Sequence, residues 1–310
     1  MRATIRIGIV VSWFAGLCVG TPASARMLEV GPGKAFKLPS EAAAVATAGD
    51  TIAIDAGEYV DCAVWSASRV TIEGKAPGAI IVDKTCEGKA LFIARGDGIT
   101  IRNLTFMHAR VPDGNGAGVR AEGKNLRIEQ SRFIDNENGI LAGNSLESRI
   151  FVGESEFLRN GVCNPECAHG IYVGHIELLH VEHSKFFETK EGHHIKSRAL
   201  RTELVGNDIT DGKEGTASYL VDIPNGGSLV MQDNVLEKGP HNSNHTAAVI
   251  IGEEGITQRM VELSFTGNRF ANDDTTQTVF VRNITATDAT LVDNVFKGKI
   301  VPLLGDGIVR

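Results

Sequence analysis

The chain has 310 residues, a formal charge of −7, 42% hydrophobic and 22% charged residues, and 35 glycines against 9 prolines. These values exclude a disordered chain, which is poorer in apolar residues, and a collagenous one, which is far richer in Gly and Pro. The acidic balance, with 6% aromatics, lacks the basic stripe that duplex nucleic acid requires, so no nucleic-acid partner is expected.

Residues 1–25 read as a secretory signal. Arg2 and Arg6 supply a basic start, residues 7–19 an apolar run, and Ala23-Ser24-Ala25 a small-residue cleavage site. Cleavage before Arg26 would leave 29 basic residues against 38 acidic ones, a charge near −9. The apolar run is short for a bilayer, and no second stretch of about 20 apolar residues follows, so no membrane insertion is expected. The mature chain, 26–310, is expected to be one domain, a monomer, in the periplasm of a bacterium or outside the cell. Good helix formers follow the Pro39-Ser40 entry, predicting a short capping helix over about 38–48. Four cysteines remain, and an even number in an exported chain favours disulfides, Cys62 with Cys86 and Cys163 with Cys167. The alternative for Cys163-Asn164-Pro165-Glu166-Cys167 is half of a metal site, but no second Cys pair or close Cys/His partner completes it.

From residue 103 onward a repeat sets the pattern. A small or amide residue, a variable one and an apolar one recur as Ser131-Arg132-Phe133, Ser155-Glu156-Phe157, Ser184-Lys185-Phe186, Asn207-Asp208-Ile209, Asn234-Val235-Leu236, Asn268-Arg269-Phe270 and Asn294-Val295-Phe296. Counted from Phe106, the apolar position advances by 27, 24, 29, 23, 27, 34 and 26 residues. Short alternating runs such as Leu126-Arg127-Ile128-Glu129 precede each copy, the period-2 signature of a strand with one buried face. A second ladder runs through Gly118-Val119-Arg120, Gly139-Ile140-Leu141, Gly170-Ile171-Tyr172, His194-Ile195-Lys196 and Leu220-Val221-Asp222. Each repeat therefore holds at least two short strands and no room for a helix. This predicts an all-β solenoid of stacked parallel strands, with Phe106, Phe133, Phe157, Phe186, Phe270 and Phe296 as an interior column. The glycines Gly118, Gly139 and Gly170 would leave a trough in the surface, which His194 fills.

At the start of the solenoid, Gly49-Asp50-Thr51-Ile52-Ala53-Ile54-Asp55-Ala56-Gly57-Glu58-Tyr59 and Val70-Thr71-Ile72-Glu73-Gly74 resemble the first coil of right-handed parallel β-helix proteins of the pectate-lyase-like superfamily. The resemblance spans about residues 27–300. It implies a single-domain right-handed parallel β-helix and a polysaccharide as substrate class, and the basic strand His193-His194-Ile195-Lys196-Ser197-Arg198 points to an anionic polysaccharide or oligosaccharide as partner.

Six of the nine histidines, His169, His175, His180, His183, His193 and His194, fall within 169–194. Aligning Ile140, Ile171, Ile195 and Val221 as inward places Leu141, Tyr172, Lys196 and Asp222 outward on successive coils, about 4.8 Å apart. His169, His193 and Tyr219 share a column at the strand entrance. The predicted groove carries Tyr172, His194, Lys196 and Arg198 as catalytic candidates. Arg120, His169, His193, Tyr219 and Asp222 are candidates for binding substrate. His180 and His183 are read as an exposed face.

Such a groove suits β-elimination in a uronic-acid polymer. A cation neutralises the carboxylate, a base takes the adjacent proton and an acid protonates the leaving oxygen. Arg198 is the candidate neutraliser, Lys196 or His194 the base and Tyr172 the acid. Glycoside hydrolysis needs two acids flanking the bond, for which Asp222 with Glu253 or Glu254 are the candidates. Gly192-His193-His194 resembles only part of the Gly-His-Gly of polygalacturonase-like hydrolases, without their paired aspartates, and the signatures of alginate epimerases and typical pectate lyases are absent. No cofactor is expected, and a Ca²⁺ site would need a denser acidic cluster than any one coil offers. The competing expectation is a non-catalytic carbohydrate-binding β-helix.

Overall fold

The computed structural model describes residue 3 and residues 25–76 and 78–310. The segment read as a secretory signal lies, but for residues 3 and 25, outside the described residues. From Met27 onward the chain winds into a solenoid with three parallel sheets. One has twelve strands, running from Met27–Val30 to Gly307–Val309. A second has ten, from Ala63–Trp65 to Ile300–Leu304, and a third has ten, from Gly57–Tyr59 to Val295–Lys297. Every pairing in these sheets joins one coil to the next, which is why the sequence period sets the architecture.

The third sheet carries the aromatic column in one unbroken register, Phe106 beside Phe133, Phe157, Phe186, Ile209, Leu236, Phe270 and Phe296. Successive rings stack at 5.2, 4.8 and 4.5 Å from Phe106 to Phe186. The small or amide residue two places earlier forms a second interior ladder. Ser131 N–H donates to Ser155 Oγ, Ser155 to Ser184 Oγ, Ser184 to Asn207 Oδ1, and then Asn207, Asn234 and Asn268 each donate to the next asparagine's Oδ1, all at 2.9–3.2 Å. These side chains satisfy backbone donors at a corner where the sheet ladders are interrupted.

The residue before each ladder position turns the corner in the left-handed region: Asn103, Gln130, Glu154, His183, Gly206, Asp233, Gly267 and Asp293, with φ of 47–67°. Only two of the eight are glycine, so the corner accounts for few of the 35 glycines. The glycines of the second ladder serve another purpose, and the expected surface trough is not there. A Cβ at Gly118 or Gly139 would lie 2.8 Å from the ring of Phe133 or Phe157, inside the coil. Those glycines make room for the aromatic column.

The helix runs over Pro39–Val45, shorter than the expected 38–48 because Ala46 leaves helical backbone at ψ 140°. The Glu41 carboxylate accepts the Lys37 N–H at 2.6 Å, and the helix packs on Ala63–Trp65 and Met27–Val30. Both disulfides form as expected, Cys62 with Cys86 and Cys163 with Cys167.

Candidate functional site

The second sheet, from Ala63–Trp65 to Ile300–Leu304, positions the site. Its outward column runs in register through Arg120, Leu141, Tyr172, Lys196 and Asp222, as the alternation of inward isoleucines and valine predicts. Over Tyr172 and Lys196 opens a cavity of about 720 Å³. One wall is the turn at Asp113–Asn115 together with residues 165–168; Glu254 stands on the other side. Two carboxylates pin the first wall, Glu137 from a buried position and Glu191 from an exposed one. Glu137 Oε2 accepts from the N–H groups of Val111 and Gly116 at 3.1 and 2.6 Å, and Glu191 Oε2 accepts from Cys163 N–H at 2.6 Å.

Arg198 organises the floor. Its Nε donates to the Tyr172 hydroxyl at 3.0 Å, one terminal nitrogen to Asn225 Oδ1 and the other to Glu254 Oε2 at 2.6 Å. Lys196 Nζ donates to Glu254 Oε1 at 2.7 Å and lies 3.2 Å from Asp222 Oδ2. Burial would lower the Lys196 ammonium, but Asp222 and Glu254 outweigh it and hold it above its ordinary value. Burial likewise opposes ionisation of Glu254, and Lys196 and Arg198 overcome it, so this carboxyl sits below the usual range. Asp222, buried beneath Lys196, is pushed up to about 6 by burial, with Lys196 opposing the shift.

The two histidines of the cavity are uncharged. His169 and His193 stack at 4.8 Å, and Tyr219 continues the column at 5.3 Å. Burial, aided by neighbouring cations, pulls His193 down to about 3 and His169 well below its ordinary value. The network fixes their tautomers. His193 N–H donates to His169 Nδ1 at 3.0 Å, and Tyr219 N–H donates to His193 Nδ1 at 3.2 Å. In each ring the proton therefore sits on Nε2, and His193 Nε2 faces Asp222 Oδ2 at 3.4 Å.

Of the residues singled out in the sequence, the cavity gathers Tyr172, His169, His193, Lys196, Arg198 and Glu254. His194 is not among them. It is fully buried inside the coil, with Nδ1 2.8 Å from Thr189 Oγ1 and Nε2 2.9 Å from Asp211 Oδ1. The strand begins only at Ile195, so strand alternation does not extend to this corner position. Lys196, held charged, has no lone pair for a proton, and His194 is sealed inside the coil, so neither candidate base is set to take one. Arg120 shares the outward column but lines a separate cavity of about 160 Å³, with the buried Leu141 between it and Tyr172. Asp222 and Tyr219 lie behind the cavity lining; the Tyr219 hydroxyl donates to Glu253 Oε1 at 3.0 Å. His180 is occupied by Glu203 and Glu182 at 2.8 and 3.2 Å, and His183 is a corner residue.

Three site groups escaped the sequence reading: Asn225, the Asp113–Asn115 turn and the clamp role of Glu254. The signal for Glu254 was an acidic pair between two glycines, Gly252-Glu253-Glu254-Gly255, directly after the strand that follows Asp222 in register. Among the described residues no group of three or more His, Cys, Asp or Glu side chains is placed to hold a metal ion. No helix among them is long and apolar enough to cross a membrane.

The three stacked parallel sheets, like the solved structures described next, have the pectate-lyase-like right-handed parallel β-helix fold. No protein-family model matches the sequence, and no curated protein matches it either. Solved structures do resemble it. An alginate lyase from Paenibacillus sp. str. FPU-7 superposes with a TM-score of 0.57 at 15% identity, covering 91% of this chain and 99% of that one. The pectate lyase Pel9A gives 0.60 at 12% identity, covering 92% and 78%. Pectin methylesterase PemA from Erwinia chrysanthemi gives 0.50 at 10% identity, covering 78% and 93%. At these identities the likeness shows the fold alone.

Proposed function

We propose that the protein is an exported enzyme that cleaves an acidic, uronic-acid-containing polysaccharide by β-elimination in the cleft over Tyr172, Lys196 and Arg198. The observation that carries this reading is the contact of the Tyr172 hydroxyl with the Arg198 guanidinium on the cleft floor, beside a second cation. Lys196 and Arg198 neutralise the substrate carboxylate, which makes the adjacent C–H more acidic. Tyr172 is the proton carrier. Its oxygen accepts from Arg198 Nε at 3.0 Å, and elimination uses it in the phenolate form. The phenolate takes the proton next to the carboxylate, and the electron pair forms a carbon–carbon double bond. The adjacent carbon–oxygen bond breaks, and Tyr172 returns the proton to the leaving oxygen. His169 Nε2–H serves as a hydrogen-bond donor from the cleft wall. Two polysaccharide lyases of the same fold support the substrate class by analogy.

One observation favours the second reading, a binding protein without turnover: both imidazole Nδ1 atoms accept backbone N–H groups, which leaves no uncharged nitrogen base at the cleft. Tyr172→Phe separates the two. Elimination predicts that it retains polymer binding and loses formation of the ultraviolet-absorbing unsaturated uronate, by about 10²-fold or more. An unchanged rate would remove Tyr172 from the mechanism.

A further inference from the structure

Glu254 clamps both cations of the cleft at once, and it does so from a coil 56–58 residues further along the chain. The cations do not depend on it. Lys196 keeps Asp222 beneath it, and Arg198 keeps the Tyr172 hydroxyl and Asn225. Among these carboxylate partners Glu254 is the one solvent reaches, with a side chain 43% exposed against 3% for Asp222. Its loop is tied down independently of that side chain. Glu254 N–H donates to Pro224 O at 3.0 Å, Thr257 and Gln258 N–H donate to Asn225 O at 2.9 and 3.0 Å, and the Gln258 amide reaches His175 and Arg198 O. The carboxylate can therefore swing out while the loop stays in place.

We propose that the Lys196–Arg198 pair is a carboxylate subsite, that Glu254 fills it in the empty protein as an internal stand-in, and that a carboxylated sugar binds by exchanging with Glu254. The inference rests on reading the cleft as a polysaccharide site, and on no particular reaction. Charge balance supports it. The two cations are already matched by Glu254 and Asp222, so an anionic ligand that bound on top of Glu254 would bring an uncompensated negative charge into a half-buried site. Exchange of one carboxylate for another preserves neutrality. A neutral sugar cannot displace Glu254 and finds no free cation, so the exchange also confers selectivity, at a cost in apparent affinity.

The test uses the whole mature chain and its Glu254→Gln variant, titrated calorimetrically with oligogalacturonate and oligoalginate and with their carboxyl-reduced counterparts. Removing a competing ion pair of half-exposed type is expected to tighten binding of an acidic oligosaccharide about fivefold and to leave the reduced sugars unaffected. Glu254→Ala, which vacates the position entirely, is expected to act in the same direction. Weaker or unaltered acidic binding in folded Glu254→Gln, an equal gain for the reduced sugars, or no binding of any acidic oligomer by either form would overturn the proposal. The titrations are run with Tyr172→Phe added to both forms, which binds without turning over under the elimination reading, and product formation is assayed separately with Tyr172 present, so the two readings fail separately. Binding with the predicted gain but no unsaturated product sinks elimination alone, whereas product formation with unaltered affinity sinks the exchange alone.

Discussion

Replacing Asn234 by alanine tests whether the interior amide ladder carries the stability of the solenoid. Asn234 is fully buried. Its Nδ2 donates to Leu204 O at 2.8 Å and Asn268 Oδ1 at 2.9 Å, while its Oδ1 accepts from the Asn207 main-chain N–H at 2.9 Å and from Asn207 Nδ2 at 3.0 Å. Alanine orphans two buried main-chain groups, Leu204 C=O and Asn207 N–H, at about 1–3 kcal/mol each, so the expected loss is about 4 kcal/mol. Asn294→Ala at the half-buried end of the same ladder, where water replaces the lost partners, is expected to lose only about 1 kcal/mol. Urea unfolding followed by far-ultraviolet circular dichroism reads both. A loss below about 1 kcal/mol for Asn234→Ala, or equal losses for the two variants, would refute the ladder argument.

Two further outcomes follow from other parts of the coil. Burial, reinforced by nearby carboxylates, pushes the Glu237 carboxyl up from 4.5 to about 7, so between those values the folded chain keeps a proton that the unfolded chain releases, and stability falls as pH rises through that window. Glu237→Gln still accepts the Gly212 N–H bond and should flatten this part of the profile; parallel melting curves for variant and wild type from pH 5 to 7 would contradict the assignment. The Cys62–Cys86 bridge spans 24 residues, so Cys62→Ala with Cys86→Ala should lower stability by roughly 3 kcal/mol in denaturant titrations, and a loss near zero would show that the bridge does not constrain the unfolded chain.

The solenoid was legible because its cause is periodic. One interior position per coil must be apolar and the residue two places earlier must supply a corner acceptor, so Phe133, Phe157 and Phe186, with Ser131, Ser155 and Ser184, repeat in phase. The histidine concentration misled for the same reason. Closeness in sequence within a coil does not place side chains on one face: His183 turns a corner, His180 lies on the twelve-stranded sheet, His194 points inward, and only His169 and His193 line the cleft. Strand alternation predicted Tyr172, Lys196 and Asp222 correctly as a register column. It held no information on loops, because Glu254 reaches Lys196 from a turn 58 residues further along the chain, outside any strand register. Nor could residue type alone reveal charge state. His193-His194-Ile195-Lys196-Ser197-Arg198 reads as a basic strand, yet burial leaves His193 uncharged and acidic partners match the lysine and arginine.

The most direct measurement of the central claim is ultraviolet absorbance of unsaturated uronates released from alginate, pectate, glucuronan and bacterial exopolysaccharides by wild-type protein and by Tyr172→Phe. Elimination in this cleft predicts a steady rise with at least one acidic polymer, abolished in the variant. No rise with any polymer that the protein binds would contradict it.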